Sequence, residues 1–124
     1  FYQTTRDDLA AAGLADTTSV VHAPLLPAKV FGIDTQFYDM SRLPADRQFN
    51  LVLVDGPPSA TSPLARLAAL PAVSPLVEPG NSRVILDDYE RPAEKRTVEI
   101  WKQAVPELIC QTVAFSKHIC VMHL

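Results

Sequence analysis

Two apolar runs in this chain end in acid. Leu51-Val52-Leu53-Val54 leads into Asp55 and then Gly56-Pro57-Pro58, and Arg83-Val84-Ile85-Leu86 leads into Asp87, Asp88 and Tyr89. The four consecutive apolar residues of the first run, bounded by turn formers, predict a strand buried on both faces, as in a parallel sheet, and Val84-Ile85-Leu86 predicts a second buried strand. In open α/β sheets, ligands bind beyond the carboxyl ends of the strands. Parallel neighbours would bring Asp55, Asp87 and Asp88 to one rim. Three carboxylates there can hold a hard divalent cation such as Mg²⁺ through oxygen, or take a proton from a substrate hydroxyl. Acids at strand ends also cap helices or pair with arginine, and for Asp55 alone that reading weighs equally.

Other reactive side chains offer less. His22 ends a β-branched run, Thr18 to His22, and would share the same rim if that run is a strand. His118 and His123 lack metal-ligand spacing to any acid. Cys110 and Cys120 flank the turn of an expected hairpin. A tight turn at Ser116-Lys117 would set Cys110 opposite the region of His123, leaving the thiols out of register for a disulfide. Buried, inert thiols are expected. The sequence holds no GxSxG, P-loop, HExxH or CxxC pattern, and its 4 glycines form no glycine-rich loop.

The elements that must position these residues follow from local pattern. Thr4 to Leu14 predicts a helix, with a threonine cap, Asp7 and Asp8 early in the helix, and Gly13 as its terminator. A strand is expected at 18–22, stopped by Pro24 and Pro27. Residues 28–48 show no dominant period and predict irregular structure with one short strand near Phe37. Strands are expected at 50–55 and 83–88. A helix is expected through 65–70, entered by Pro63 and stopped by Pro71. A further helix is expected at 92–104, with Val98, Ile100, Trp101 and Val105 toward the core. Runs at 109–115 and 118–124 predict an antiparallel hairpin. Alternating strands and helices argue for an α/β sheet.

The bulk composition excludes several classes. A length of 124 residues bounds a single small domain. A net charge of −3 with scattered Lys and Arg gives no electrostatic case for nucleic acid. No apolar stretch approaches the roughly 20 residues of a membrane span. Two cysteines make no disulfide framework, so a cytoplasmic setting is expected.

The run from Leu51 to Pro58, then Arg66 and Ala69-Leu70-Pro71, then Leu86-Asp87-Asp88-Tyr89-Glu90-Arg91 with Trp101, resembles the fourth- and fifth-strand region of class I S-adenosylmethionine-dependent methyltransferases. Phe1-Tyr2-Gln3-Thr4-Thr5 is similar to the start of that family's second helix. The resemblance implies a Rossmann-like, mostly parallel sheet with helices on both faces. It also implies a C-terminal antiparallel hairpin whose last strand inserts beside the fifth. Methyl transfer from S-adenosylmethionine to a small-molecule acceptor, such as a hydroxyl, is the implied activity. The cofactor would border His22, Ala23, Asp55 and Gly56. Asp55, Asp87 and Asp88 would act at the acceptor, in some relatives through Mg²⁺.

The family's first two strands and glycine-rich turn have no counterpart here. The sheet is therefore expected to be incomplete without upstream residues or a second chain, with a homo-oligomer as one solution. A non-catalytic binding or scaffolding domain of the same fold, and a metal-dependent hydrolase using the three acids, are the alternatives.

Overall fold

The computed structural model describes residues 1–114 and 117–124. The chain forms α1 (Tyr2–Ala11), β1 (Leu25–Val30), β2 (Ile33–Tyr38), β3 (Leu51–Val54), α2 (Ala69–Val73), β4 (Arg83–Leu86), α3 (Pro92–Ala104), β5 (Ile109–Ala114) and β6 (His118–His123). Strands β3, β4, β6 and β5 lie side by side in that order, while β1 and β2 make a separate two-stranded sheet. The molecule is thus α/β, with a mixed sheet.

Strands β3 and β4 are parallel neighbours, with Val54 beside Leu86. Their side-by-side ends bring Asp55 and Asp87 together. Strand β6 runs antiparallel between β4 and β5. One of the three ladders is parallel, so the expected mostly parallel sheet is corrected to a mixed one. The hairpin expected at the C-terminus is present. Its expected link at Ser116-Lys117 lies partly outside the described residues, as does Phe115.

One sheet face is covered. Val54, Val84, Leu86, Cys120 and Met122 pack with Leu67, Leu70 and Val73 around α2, and with Val98 and Trp101 of α3. Trp101 is fully buried and its indole N–H donates to the Leu67 carbonyl at 2.8 Å, so the largest core side chain also has its polar atom satisfied. Side chains alternate along a strand, and the opposite face carries Leu51, Leu53 and Ile109, exposed at 59%, 65% and 64%. Helix α1 buries no residue. Helices on both faces, as expected, are therefore not found: α2 and α3 cover one.

Local expectations differ in instructive places. The run 18–22 is not a strand. Its β-branched residues favour extended backbone, but a strand exists only with a partner ladder, and none lies beside it. Residues 25–38 form a hairpin instead of irregular structure. Val30 pairs with Ile33 across Phe31 and Gly32, both at positive φ (50° and 79°), the two-residue turn whose twist suits a hairpin. Pro27 is tolerated because β1 has a neighbour on one side only.

Helix α1 starts earlier than expected, at Tyr2, without a side-chain cap. Thr4, Asp7 and Asp8 fall inside it, and Gly13 at φ 72° follows its end as expected. The helix expected at 65–70 is a series of turns leading into α2, where Pro71 sits in the first turn. Its missing N–H breaks no intrahelical bond there. Helix α3 matches its expected bounds, with Pro92 at the start. No helix among the described residues is long and apolar enough to cross a membrane.

Candidate functional site at the strand ends

The parallel pairing of β3 and β4 determines where the acids meet. The Asp87 N–H donates to the Val54 carbonyl at 3.1 Å, so the two strand ends are level. Carboxylate oxygens of Asp55, Asp87 and Asp88 lie within 4.8 Å of one another. The expected convergence is present, but the three environments are unlike. The Asp55 side chain is 61% exposed, Asp87 is partly covered, and Asp88 is buried.

Asp88 has φ 54°, in the left-handed region that Asp enters at less cost than most residues. From that turn its carboxylate meets three cations. Oδ2 accepts from Arg66 at 3.3 Å and pairs with Arg91 at 2.9 Å, while Oδ1 pairs with Lys117 at 3.4 Å. Burial pushes its pKa up, but Arg91, Lys117 and Arg66 outweigh that and hold it below the usual carboxylate value.

Arg66 is the centre of the arrangement. It is buried, on the turn between Pro63 and α2. Its Nη1 donates to the Asp87 carbonyl at 2.9 Å and its Nη2 to Asp55 Oδ1 at 3.2 Å and to Asp88. Its Nε lies 3.8 Å from Glu94 Oε1, where Glu94 is also buried, in the first turn of α3. Arg66 Nε and Glu94 Oε2 have no hydrogen-bond partner among the described residues. Sequence reasoning assigned no role to Arg66, Arg91, Glu94 or Lys117. A signal for Arg66 was present: it is the lone charge in Leu64-Ala65-Arg66-Leu67-Ala68-Ala69-Leu70. A charge inside an apolar run implies a buried counter-ion.

Hairpin β1–β2 docks beside this cluster. Thr35 and Ser62 share a hydroxyl hydrogen bond of 2.9 Å, and the Tyr38 hydroxyl lies over Gly56. A Cβ on Gly56 would stand 2.5 Å from that oxygen, so glycine is what permits the approach. Phe37, Tyr38, Met40, Val54, Asp55 and Gly56 contribute to a cavity of about 320 Å³ beside β3. His22 and Ala23 do not line it. His22 is exposed and packs on Tyr2 of α1, with ring centroids 5.6 Å apart. Thus Asp55 and Gly56 share a cavity wall, and the two upstream residues expected with them stand elsewhere.

As a Mg²⁺ site, the cluster is limited by its own charges. A hard cation needs free carboxylate oxygens. Both oxygens of Asp88 face cations, one oxygen of Asp55 accepts from Arg66, and Asp87 Oδ2 lies 4.0 Å from Lys117, so no three carboxylates are free together. A dication among the three acids would stand beside a guanidinium that cannot leave without stranding Glu94. The donor set does not fit a resident metal.

Cys120 is buried as expected, whereas Cys110 is only partly covered. Both cysteines are free. Cys110 faces Met122, and Cys120 faces Thr112; His123 faces Ile109, one position from the expected register. Burial and the neighbouring Cys110 push the Cys120 thiol up to about 12, which removes it from nucleophilic chemistry at neutral pH.

The geometry defines a mixed α/β domain with a charge-compensated acidic cluster at the ends of its parallel strands. Comparison with protein-family models, curated proteins and solved structures found no match.

Proposed function

We propose that this chain is part of a class I, Rossmann-like S-adenosylmethionine-dependent methyltransferase acting on a small-molecule acceptor. The observation that carries the reading is the strand order β3-β4-β6-β5, with the last strand antiparallel between its neighbours and acids at the ends of the parallel pair. That is the arrangement which the resemblance of Asp55-Gly56-Pro57-Pro58 and Asp87-Asp88-Tyr89 implies.

The cavity beside β3 suits one flat, largely apolar group, with Phe37, Met40 and Val73 as walls and Asp55 at its edge. Asp55 and Gly56 would border the cofactor. Asp55 keeps one oxygen free of partners among the described residues, and that oxygen is suited to accept a hydrogen bond from an acceptor hydroxyl. S-adenosylmethionine supplies an electrophilic methyl group when bound. The contribution of these side chains is to hold the acceptor in line with it. The bare sheet face and open β3 edge support completion of the sheet by further polypeptide, from upstream residues or a second copy.

Calorimetry with S-adenosylmethionine and S-adenosylhomocysteine tests the reading. Binding is expected to weaken when Gly56→Ala pushes Tyr38 aside. With the upstream residues that the reading calls for included in the protein, no heat with either compound at about 1 mM would exclude even weak affinity and defeat the reading.

The non-catalytic alternative is favoured by one observation: the compensation of Asp88 by three cations is what a structural cluster needs. A scaffold would tolerate Asp55→Asn with every partner interaction unchanged, whereas the enzyme would lose methyl transfer.

A further inference from the structure

We propose that Arg66 is the built-in cation of the acidic cluster, standing where a divalent metal would otherwise be needed, and that it positions the Asp55 carboxylate. The inference about the cation concerns the cluster alone. The statement that Asp55 then faces an acceptor rests on the methyltransferase reading.

Asp55, Asp87, Asp88 and Glu94 face Arg66, Arg91 and Lys117. Four carboxylates against three cations leave one net negative charge. Without Arg66 there would be two, the charge that a divalent ion neutralises. Arg91 and Lys117 are exposed at the rim, but Arg66 is only 4% exposed. Its neighbours Ala65, Leu67 and Ala68 are buried too, so its backbone is anchored. The guanidinium cannot withdraw into water to admit an ion without undoing this packing.

Geometry supplies the second line. The planar guanidinium reaches two acids and a backbone carbonyl from one point. In doing so it joins the turn after β3 to the ends of β3 and β4, as a coordinated ion would. The buried Glu94 Oε2 has no partner among the described residues. Glu94 is therefore held in the core by the Arg66 charge and the positive start of α3. It commits the cation to stay. Asp55, largely exposed, is left with one oxygen restrained by Arg66 and the other without a partner among the described residues.

Titration of the protein with MnCl₂, read by electron paramagnetic resonance and by melting temperature, tests this. The wild type is expected to show no saturable Mn²⁺ binding up to about 1 mM, the weak end for carboxylate sites. Its melting point should ignore MgCl₂ and EDTA alike. Arg66→Met is expected to melt lower and to gain saturable Mn²⁺ binding, at least about tenfold tighter than wild type. Metal should restore part of its lost stability. Arg66→Lys keeps the charge and should bind no Mn²⁺, but it should melt lower than wild type, since an ammonium lacks the planar fork. Saturable wild-type binding that Asp55→Asn removes would overturn the proposal. So would a folded Arg66→Met protein that binds no Mn²⁺. If Arg66→Met does not fold, the wild-type titration still decides. None of these readouts uses S-adenosylmethionine, so failure here is distinct from failure of the methyltransferase reading.

Discussion

At Asp88, desolvation favours the neutral acid while three neighbouring cations favour the carboxylate, and the cations prevail. The folded pKa is therefore below the unfolded value of 3.8. A depressed carboxylate contributes stability that is fully present above the unfolded pKa. That contribution is lost as pH falls through the folded one. Urea midpoints should hence be level in this respect above about pH 5 and fall progressively below pH 4. Asp88→Asn should remove much of that acid dependence. At pH 7 it should also cost about 3 kcal/mol, because Arg66 would lose its buried partner. Asn tolerates the left-handed backbone, so the loss would report charge rather than strain. An acid limb unchanged by the substitution would show that other carboxylates dominate. The acids themselves were legible in the sequence, as polar ends of apolar runs. Their different burial was not, because it depends on Arg66, which arrives from eleven residues beyond Asp55 in the chain.

At the scale of elements, strands and helices with strong local signals formed where expected. β3, β4, α3 and the β5–β6 hairpin have their own apolar pattern or proline start. The run at 18–22 carries the same β-branched signal, yet it forms no strand, because propensity without a ladder partner does not make one. Hairpin β1–β2 was obscured by Pro27 and by a turn without the usual Asn-Gly pair. Phe31 takes the first turn position at φ 50° and is substantially exposed, so its side chain gains little in return for a disfavoured backbone. Phe31→Asn should stabilise the protein by about 1 kcal/mol, read as a higher urea midpoint with unchanged slope. A lower midpoint would mean that the contacts of the Phe31 ring outweigh its backbone cost.

For the whole molecule, the asymmetry of the sheet matters most. One face carries the core. The other presents Leu51 and Leu53 to solvent on the open edge strand β3, and Ile109 on β5 at the far edge. An exposed apolar edge strand marks an interaction surface or an aggregation liability. Sedimentation velocity should show concentration-dependent self-association. Leu51→Lys with Leu53→Lys should shift the boundary toward monomer without lowering the melting point, since neither side chain is in the core. A wild-type monomer at every concentration would count against completion of the sheet by a second copy.

The sequence by itself determined β3, β4 and the C-terminal pair as strands, and which face of α3 is apolar, but not the hairpin β1–β2. It also determined that acid follows both apolar runs, because these are properties of neighbours in the chain. It predicted the C-terminal hairpin for the same reason. Tertiary structure supplied the pairing that was only an expectation from sequence, with β3 and β4 parallel and β6 between β4 and β5, and it alone decided that only one face is covered. Tertiary structure also made Arg66 the hub of the acids. Long-range pairing and buried charge depend on what other parts of the chain bring to a point, and in low dielectric that partner decides whether a carboxylate is a free ligand or half of an ion pair.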